Sequence, residues 1–511
     1  MSFLVNGLYK IADIEVFDAR GQDEWFCLCG TGGIEVDDLV DPVGDAGEAL
    51  GELLKEFRLG DVLEGLAGVE LFCFVRLGLS HGLHRPVDVL EARSLCRRCI
   101  GRFVLCVFVS ACNVIYSDVG EGFVEAVGRN LPERLLIRFV GKGSVFDVYR
   151  LRICDMDSTS ATIVWVTDVP GMSWVEIAPD STDHFYGKAR PRYYDVLEGR
   201  KLLTDSVHRV RIEGLKSNTK YRYRVFTQEV AEWRYDDWVT FGKTACTDVW
   251  RGKPHEFTTF PVKPREITFL VLNDIHERAK FMKELCKNID FNKLDFVLLN
   301  GDMSHRLKSQ QHMMEAYLDT CVSMFATHTP LFFNRGNHEL RGQFADYLYR
   351  YFPTNNGKYY RLQHVAGVDF LFIDSGEDKP DEDIEYSGIV NYDQYREEQA
   401  RWLRSLREEK KVGKYPLVVF SHMPPTLENW HGPYHMQKTL TPELNKMNVS
   451  VMLSGHLHRF GYQKPNEVIN FPNLVNSNNT YLLCRIANGK MEVDYVGLTA
   501  KEKKHFTFPL K

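Results

Sequence analysis

Five short stretches carry residues suited to holding metal cations: Asp274-Ile-His276, Gly301-Asp302, Gly336-Asn337-His338-Glu339, Ser421-His422 and Gly455-His456-Leu457-His458. Imidazole nitrogens, carboxylate oxygens and an amide carbonyl make a mixed N/O donor set with no thiolate. Such a set suits iron, manganese or zinc better than calcium. Singly, each stretch has an ordinary explanation. Asp274 is a good helix N-cap, Asp302 after Gly301 fits a turn, and a lone histidine such as His422 is more often hydrogen-bonded than metal-bound. His456 and His458, two apart in extended chain, face the same side, yet a histidine pair alone proves little. The weighting changes because all five stretches close an apolar run.

Those runs are the elements that must position the side chains. ITFLVLND (267–274), DFVLLNGD (295–302), PLFFNRGNH (330–338), VDFLFIDSG (368–376), PLVVFSHMP (416–424) and VSVMLSGHLH (449–458) are short buried-strand patterns. Amphipathic stretches such as 278–289 and 393–410 lie between them. The alternation predicts an α/β domain with its sheet covered on both faces. Open α/β sheets gather ligands at the carboxyl ends of their strands, so the five stretches can converge on one crevice. Glycines before Asp302, Asn337 and His456 are expected to let the backbone turn sharply there.

Upstream the pattern is all-β. TSATIVWVTD (159–168), SWVEIAPD (173–180) and VHRVRIEGLKSNTKYRYRVF (207–226) alternate with period two, and Tyr221, Tyr223 and Val225 share a face. Short strands at this spacing predict a β-sandwich, read as a structural module. FTTFPVKPRE (257–266), with two prolines, reads as a linker. Residues 1–145 show no clear periodicity and stay unassigned. They include a lone Cys96-x-x-Cys99 and, over 97–112, basic residues, a short apolar run and Val-Ser-Ala-Cys, the pattern of a lipoprotein cleavage site far from where an export signal belongs. Two explanations stand: an extension, or a non-native segment with the true start downstream. The division is thus 1–145, 146–263 and 264–511.

The chain of 511 residues is too long for one ordinary core. Its 44% hydrophobic and 26% charged residues are those of a soluble globular protein. A net charge of −6 argues against a nucleic-acid surface and a basic membrane patch. No apolar run reaches the ~18–20 residues needed to span a bilayer. Cys154, Cys246, Cys286, Cys321 and Cys484 have neither disulfide-framework nor zinc-ribbon spacing and read as buried apolar residues.

The order D-x-H, G-D, G-N-H-E, H, G-H-x-H over 267–490 resembles the calcineurin-like metallophosphoesterase superfamily. The segment G-L-K-x-x-T-x-Y-x-Y-R-V at 214–225 resembles a fibronectin type III-like corner strand. Together the layout is similar to purple acid phosphatases and to bacterial phosphoesterases of that arrangement. The resemblance implies a four-layer α/β sandwich and two transition metal ions (Fe, Mn or Zn). It puts Asp274, His276, Asp302 and His458 on the first, and Asp302, Asn337, His422 and His456 on the second. His338 stays free of metal as a general acid or an electrostatic clamp, with Glu339 orienting a ligand or His338. Two cations about 3.5–4 Å apart neutralise phosphoryl oxygens and lower the pKa of a bridging water toward neutrality. The purple branch has Asp-x-Gly first and a tyrosine three residues after the Asp of Gly-Asp, where this chain has His276 and His305, so no charge-transfer colour is expected. The implied activity is hydrolysis of small phosphomonoesters. A phosphodiesterase or nucleotide hydrolase on the same core is the near alternative, and a non-catalytic scaffold the remote one. Relatives with the sandwich are often exported, whereas the first residues here lack a signal; oligomeric state is open. Arg335 and Arg341 flank the motif within reach of a phosphate, with solvated surface arginine the favoured reading, and the acidic segment 374–388 reads as a solvated excursion or a rim that disfavours polyanions. His305, His431 and His435 are candidate pocket-lining groups, the last two on a long loop over 422–435.

Overall fold

Period-two alternation sets the layers of the molecule. In Ile267–Leu272, Phe269 and Val271 join one buried cluster while Leu270 and Leu272 join another on the opposite face. The computed structural model describes residues 148–234, 238–247, 252–499 and 502–511, with the backbone of two short paired strands, Val16–Phe17 and Glu24–Trp25. Apart from those four residues, the readings of 1–145, including Cys96-x-x-Cys99 and 97–112, lie outside the described residues. Every other described element belongs to the unit Val140–Lys511.

Two six-stranded sheets form the α/β part. The first runs Leu331–Asn334, Phe296–Asn300, Ile267–Leu272, Thr480–Ala487, Lys490–Gly497, Lys503–Pro509, its first three strands parallel and the others antiparallel. The second runs Arg361–Val365, Val368–Ile373, Leu417–Ser421, Val449–Ser454, Asn473–Val475, Gly461–Gln463, with parallel pairing from Val368–Ile373 to Asn473–Val475. Their inner faces meet through phenylalanines, Phe269 edge-on to Phe370 (5.5 Å) and Phe420 (5.9 Å), and Phe296 edge-on to Phe370 (5.4 Å). Helices cover both outer faces. Met282, Met313, Tyr317 and Phe325 pack on the first sheet, and Leu403, Leu406, Met436 and Leu440 on the second. The result is a helix–sheet–sheet–helix sandwich.

The sandwich ahead of it has a three-stranded sheet (Val148–Cys154, Ala161–Thr167, Val207–Ile212) facing a five-stranded one built on Lys220–Arg234. Ile163, Trp165 and Val210 meet Val175, Tyr223 and Val225 between them. The 257–266 linker reading is corrected in part. His255–Thr258 is a strand paired with Lys220–Tyr223, because Phe257 and Phe260 are apolar and buried rather than exposed. Phe260 stands edge-on to Phe332 (6.2 Å), the Tyr223 hydroxyl donates to Thr327 O (2.8 Å), and Gln363 Nε2 donates to Met156 O (3.0 Å). One apolar cluster therefore runs through both parts. Cys154, Cys286, Cys321 and Cys484 are buried free thiols, while Cys246 is half-buried. Among the described residues no helix is long and apolar enough to cross a membrane.

Candidate metal centre

The carboxyl ends of five strands, three from the first sheet and two from the second, deliver the predicted residues to one place. Asp274, His276, Asp302 and His458 bring one donor atom each to within 4.8 Å of one another. Asp302, His422 and His456 form a second such group and His276, His305 and His338 a third, so Asp302 belongs to the first two. His458 Nε2 lies 3.3 Å from Asp274 Oδ1, and His422 Nε2 lies 3.0 Å from Asp302 Oδ2. Asn337 joins through its carbonyl, 3.2 Å from His456 Nδ1. His338 stands at the edge of the cluster, with Nε2 3.8 Å from Asp302 Oδ2 and its backbone N–H donating to Asp302 Oδ1 (3.0 Å). All eight predicted residues are brought together.

Backbone strain accompanies this convergence. Asp274, His276, Asp302, His456 and His458 all have positive φ, between 47° and 71°. Non-glycine residues rarely adopt that region, and each such residue costs of order 1 kcal/mol or more. The glycines act in two ways. Gly301 has φ +89°, and a Cβ there would sit 2.5 Å from His422 Nδ1. Gly336 and Gly455 are not left-handed; they are glycines because a Cβ would fall on Asp302 Oδ1 and between the Asn273 amide and the Asp274 carboxylate, respectively. The sharp-turn expectation thus applies to Gly301, and close approach accounts for the other two.

Buried groups then lock the strand ends. Glu339 Oε2 accepts from the N–H of Asp302 and of Gly336 (both 2.8 Å), and Oε1 from Met303 (2.8 Å) and Ser304 (3.3 Å). It orients the Asp302 loop rather than His338. Three strand-end asparagines form a tier beneath. Asn273 Nδ2 donates to Asp274 Oδ2 (2.5 Å), Asn334 Nδ2 to Asn300 Oδ1 (3.0 Å), and Asn300 Nδ2 to Ser421 O (3.2 Å). The Asn300 carbonyl accepts from His422 Nδ1 (2.8 Å). A carbonyl can only accept, so Nδ1 carries a hydrogen and Nε2 is the ring nitrogen turned toward Asp302.

The donor set fits cations. Asp274 Oδ1 and His422 Nε2 are buried without a hydrogen-bond partner, and His276 Nε2 faces His458 Nε2 at 2.9 Å. Inward-facing, unpaired N and O donors are what a divalent transition metal satisfies. The charges interact strongly. Burial opposes ionisation of Asp302 and Asp274, but His422 beside both, and His458 close to Asp274, hold them below the usual carboxylate range. Burial would push His422 down, whereas Asp302 and Asp274 raise it to about 10. Burial lowers His276 to about 4, which favours the neutral imidazole.

Other expectations need revision. Arg335 and Arg341 are half-buried and paired rather than free on the surface: Arg335 Nε bonds Asp374 (2.6 Å), and Arg341 makes a bidentate pair with Glu377 (2.9 and 2.8 Å). Asp374 and Glu377 are fully buried, so the start of the acidic segment is internal structure. His305 does reach the site, stacking on His276 with centroids 4.7 Å apart and accepting at its carbonyl from His338 Nδ1 (2.8 Å). His431 and His435 pair instead with Asp393, at 2.8 and 3.4 Å. The asparagine tier escaped sequence reasoning, although an asparagine closing three apolar runs, ahead of Asp, Gly-Asp and Arg-Gly-Asn-His, was its signal.

An α/β sandwich with such a cluster at its strand ends is the framework of a metal-dependent phosphoester hydrolase. Residues 267–460 match the family Calcineurin-like phosphoesterase, and residues 149–242 match Purple acid Phosphatase, N-terminal domain. The chain carries a calcineurin-like phosphoesterase domain preceded by a purple acid phosphatase N-terminal domain. Among solved structures it is similar to the purple acid phosphatase PPD1 from yellow lupin (Lupinus luteus) seeds, at 12% identity, covering 71% of this chain and 74% of that one, with a TM-score of 0.49. It is also similar to TT1561 of Thermus thermophilus (12% identity, 47% and 99% covered, TM-score 0.29). The 5'-nucleotidase of Candida albicans SC5314 is a third (13% identity, 48% and 54% covered, TM-score 0.29). No curated protein sequence matches the chain.

Proposed function

We propose that this chain is a dinuclear phosphomonoesterase. Asp274, His276, Asp302 and His458 hold one cation, and Asp302, Asn337, His422 and His456 hold the other. The observation that carries the reading is the membership of Asp302 in both donor groups, which suits a carboxylate shared between two ions. Iron, manganese or zinc bound there would supply a nucleophile from water at neutral pH and neutralise phosphoryl oxygens. The protein's own work is to hold these donors, keep His276 neutral, and present His338. The His305 carbonyl fixes the His338 tautomer, and the ring keeps a quarter of its side-chain surface open to an incoming small phosphorylated substrate. When the ring is protonated at both nitrogens, its Nε2–H serves the leaving oxygen as an acid or the phosphoryl group as a clamp. With His305 where purple enzymes place tyrosine, no tyrosinate charge-transfer band accompanies the metals. The sandwich, over 146–263, is a fibronectin type III-like support for the phosphoesterase at 264–511.

The test is metal analysis of the purified protein together with turnover of p-nitrophenyl phosphate and bis(p-nitrophenyl) phosphate. Two transition metal ions per chain and preference for the monoester are expected. Preference for the bis-ester would reassign the chain as a phosphodiesterase, and absence of bound metal together with no turnover would remove the hydrolase reading.

A further inference from the structure

We infer that Glu428 is a positioning residue for His456, its carboxylate fixing the imidazole so that Nδ1 faces the Asp302–His422 group. The inference rests on the reading of His456 as a metal ligand. His456 has two ring nitrogens with different neighbours. Nδ1 lies 3.2 Å from the Asn337 carbonyl oxygen, whereas Nε2 lies 3.1 Å from Glu428 Oε2. That carboxylate oxygen is buried and forms no hydrogen bond, so its 3.1 Å approach to Nε2 is a contact placed to accept the Nε2–H that a metal on Nδ1 would leave there. A metal-binding histidine commonly gives its second N–H to a carboxylate, which sets the tautomer and ring orientation. Glu428 is the carboxylate placed to do so, and it comes from the loop after the Leu417–Ser421 strand rather than from any of the five motifs.

The backbone around Glu428 supports a held position. Leu427 has φ +79°, an outlier for a side chain of its size. A Cβ on Gly461 would lie 3.1 Å from Leu427 Cδ1, so the leucine is seated close against that glycine. Gln437 Nε2 donates to Pro425 O (2.7 Å), tying the loop to the helix His431–Lys438. On the other side of the contact His456 has φ +71°. Both residues are thus brought together from strained or adjacent-to-strained backbone, the arrangement expected where function over-determines local conformation.

The experiment strips the full chain with a chelator and titrates Mn2+ or Zn2+ into wild type, Glu428→Ala and Glu428→Gln, following heat and bound-metal stoichiometry. Wild type should take two ions. Glu428→Ala should bind the first as wild type and the second 10–100-fold more weakly. Glu428→Gln, whose amide oxygen can still accept from Nε2–H, should recover most of that loss. Equal affinities for both ions in wild type and Glu428→Ala would overturn the inference. So would loss of one whole ion in both variants, which would make Glu428 a ligand itself. A wild-type chain that takes fewer than two ions would instead overturn the dinuclear reading and this inference with it. Far-UV circular dichroism and urea midpoints keep misfolding separate, because the Gln variant preserves shape.

Discussion

Replacing Glu339 by glutamine should be nearly as damaging as replacing it by alanine, although the side chains are isosteric. The four acceptor positions on Glu339 are all taken by backbone N–H groups, two on each oxygen. Burial, with Asp302 nearby, raises its pKa, while the Gly336 and Asp302 N–H bonds pull the other way and need an unprotonated carboxylate. Glutamine keeps one acceptor oxygen and turns an NH2 group on two N–H donors. Two charge-assisted hydrogen bonds are lost, at about 1.5–3 kcal/mol each, and two buried donors are left facing another donor. The two bonds come to about 3–6 kcal/mol, which overlaps the cost of about 3–5 kcal/mol for removing one partner from a buried charged pair. Urea unfolding at pH 7 of the metal-stripped protein reads this directly as a lower midpoint at unchanged slope. Metal content should fall too, because Gly336, Asp302, Met303 and Ser304 lose their common anchor. A Gln variant within about 1 kcal/mol of wild type, a shift ordinary for any substitution, would refute the reasoning.

His338→Ala should retain both metals by elemental analysis and lose roughly 10²–10⁴-fold in turnover; full activity would remove His338 from the reaction. Gly336→Ala should lose metal content and activity together, since its Cβ falls on Asp302 Oδ1, whereas Gly357→Ala, with open space around it, should not; at Gly357 the cost is confined to backbone strain, read from the urea midpoint. Buried His208, accepting or donating to Thr167 Oγ1 at 2.7 Å, is lowered by burial to about 3. A depressed histidine contributes stability that is present above the unfolded value of 6.5 and lost as pH falls below it toward 3. Relative to pH 7, the wild type should therefore lose about 2 kcal/mol more than His208→Gln by pH 5, as read from urea midpoints.

The proposed metal donors could be singled out in the sequence because each lies one to four residues past a strand end. An apolar run of four to six residues marks the strand, and its end fixes where the next polar side chain emerges. The same logic placed the layers: Phe269 and Leu270 differ by one position and so face opposite sides. What escaped reading depends on contacts between distant segments. Arg335 and Arg341 look like surface residues until Asp374 and Glu377, some forty positions on, are found buried against them. Glu339 sits within a recognised motif, but its task, bonding the backbone at 302–304, becomes visible only when two strand ends lie side by side. Glu428 belongs to no strand and follows a leucine whose backbone no propensity would predict. His255–Thr258 was hidden by the nearby prolines, which restrict the residues after it but leave its own pairing with Lys220–Tyr223 intact.

The seam between the sandwich and the phosphoesterase also sets how the molecule can be cut. Phe260 against Phe332, and Tyr223 reaching Thr327, mean that neither portion finishes its own interior. Severing the chain near Pro261 or Pro264 would uncover aromatic surface worth about 1.5–3 kcal/mol for each large side chain laid bare. A fragment starting at Arg265 would keep all the candidate metal donors yet carry a sticky, unfinished flank. The upstream sheets are thus the missing wall of the downstream ones, and a soluble minimal enzyme would have to include both.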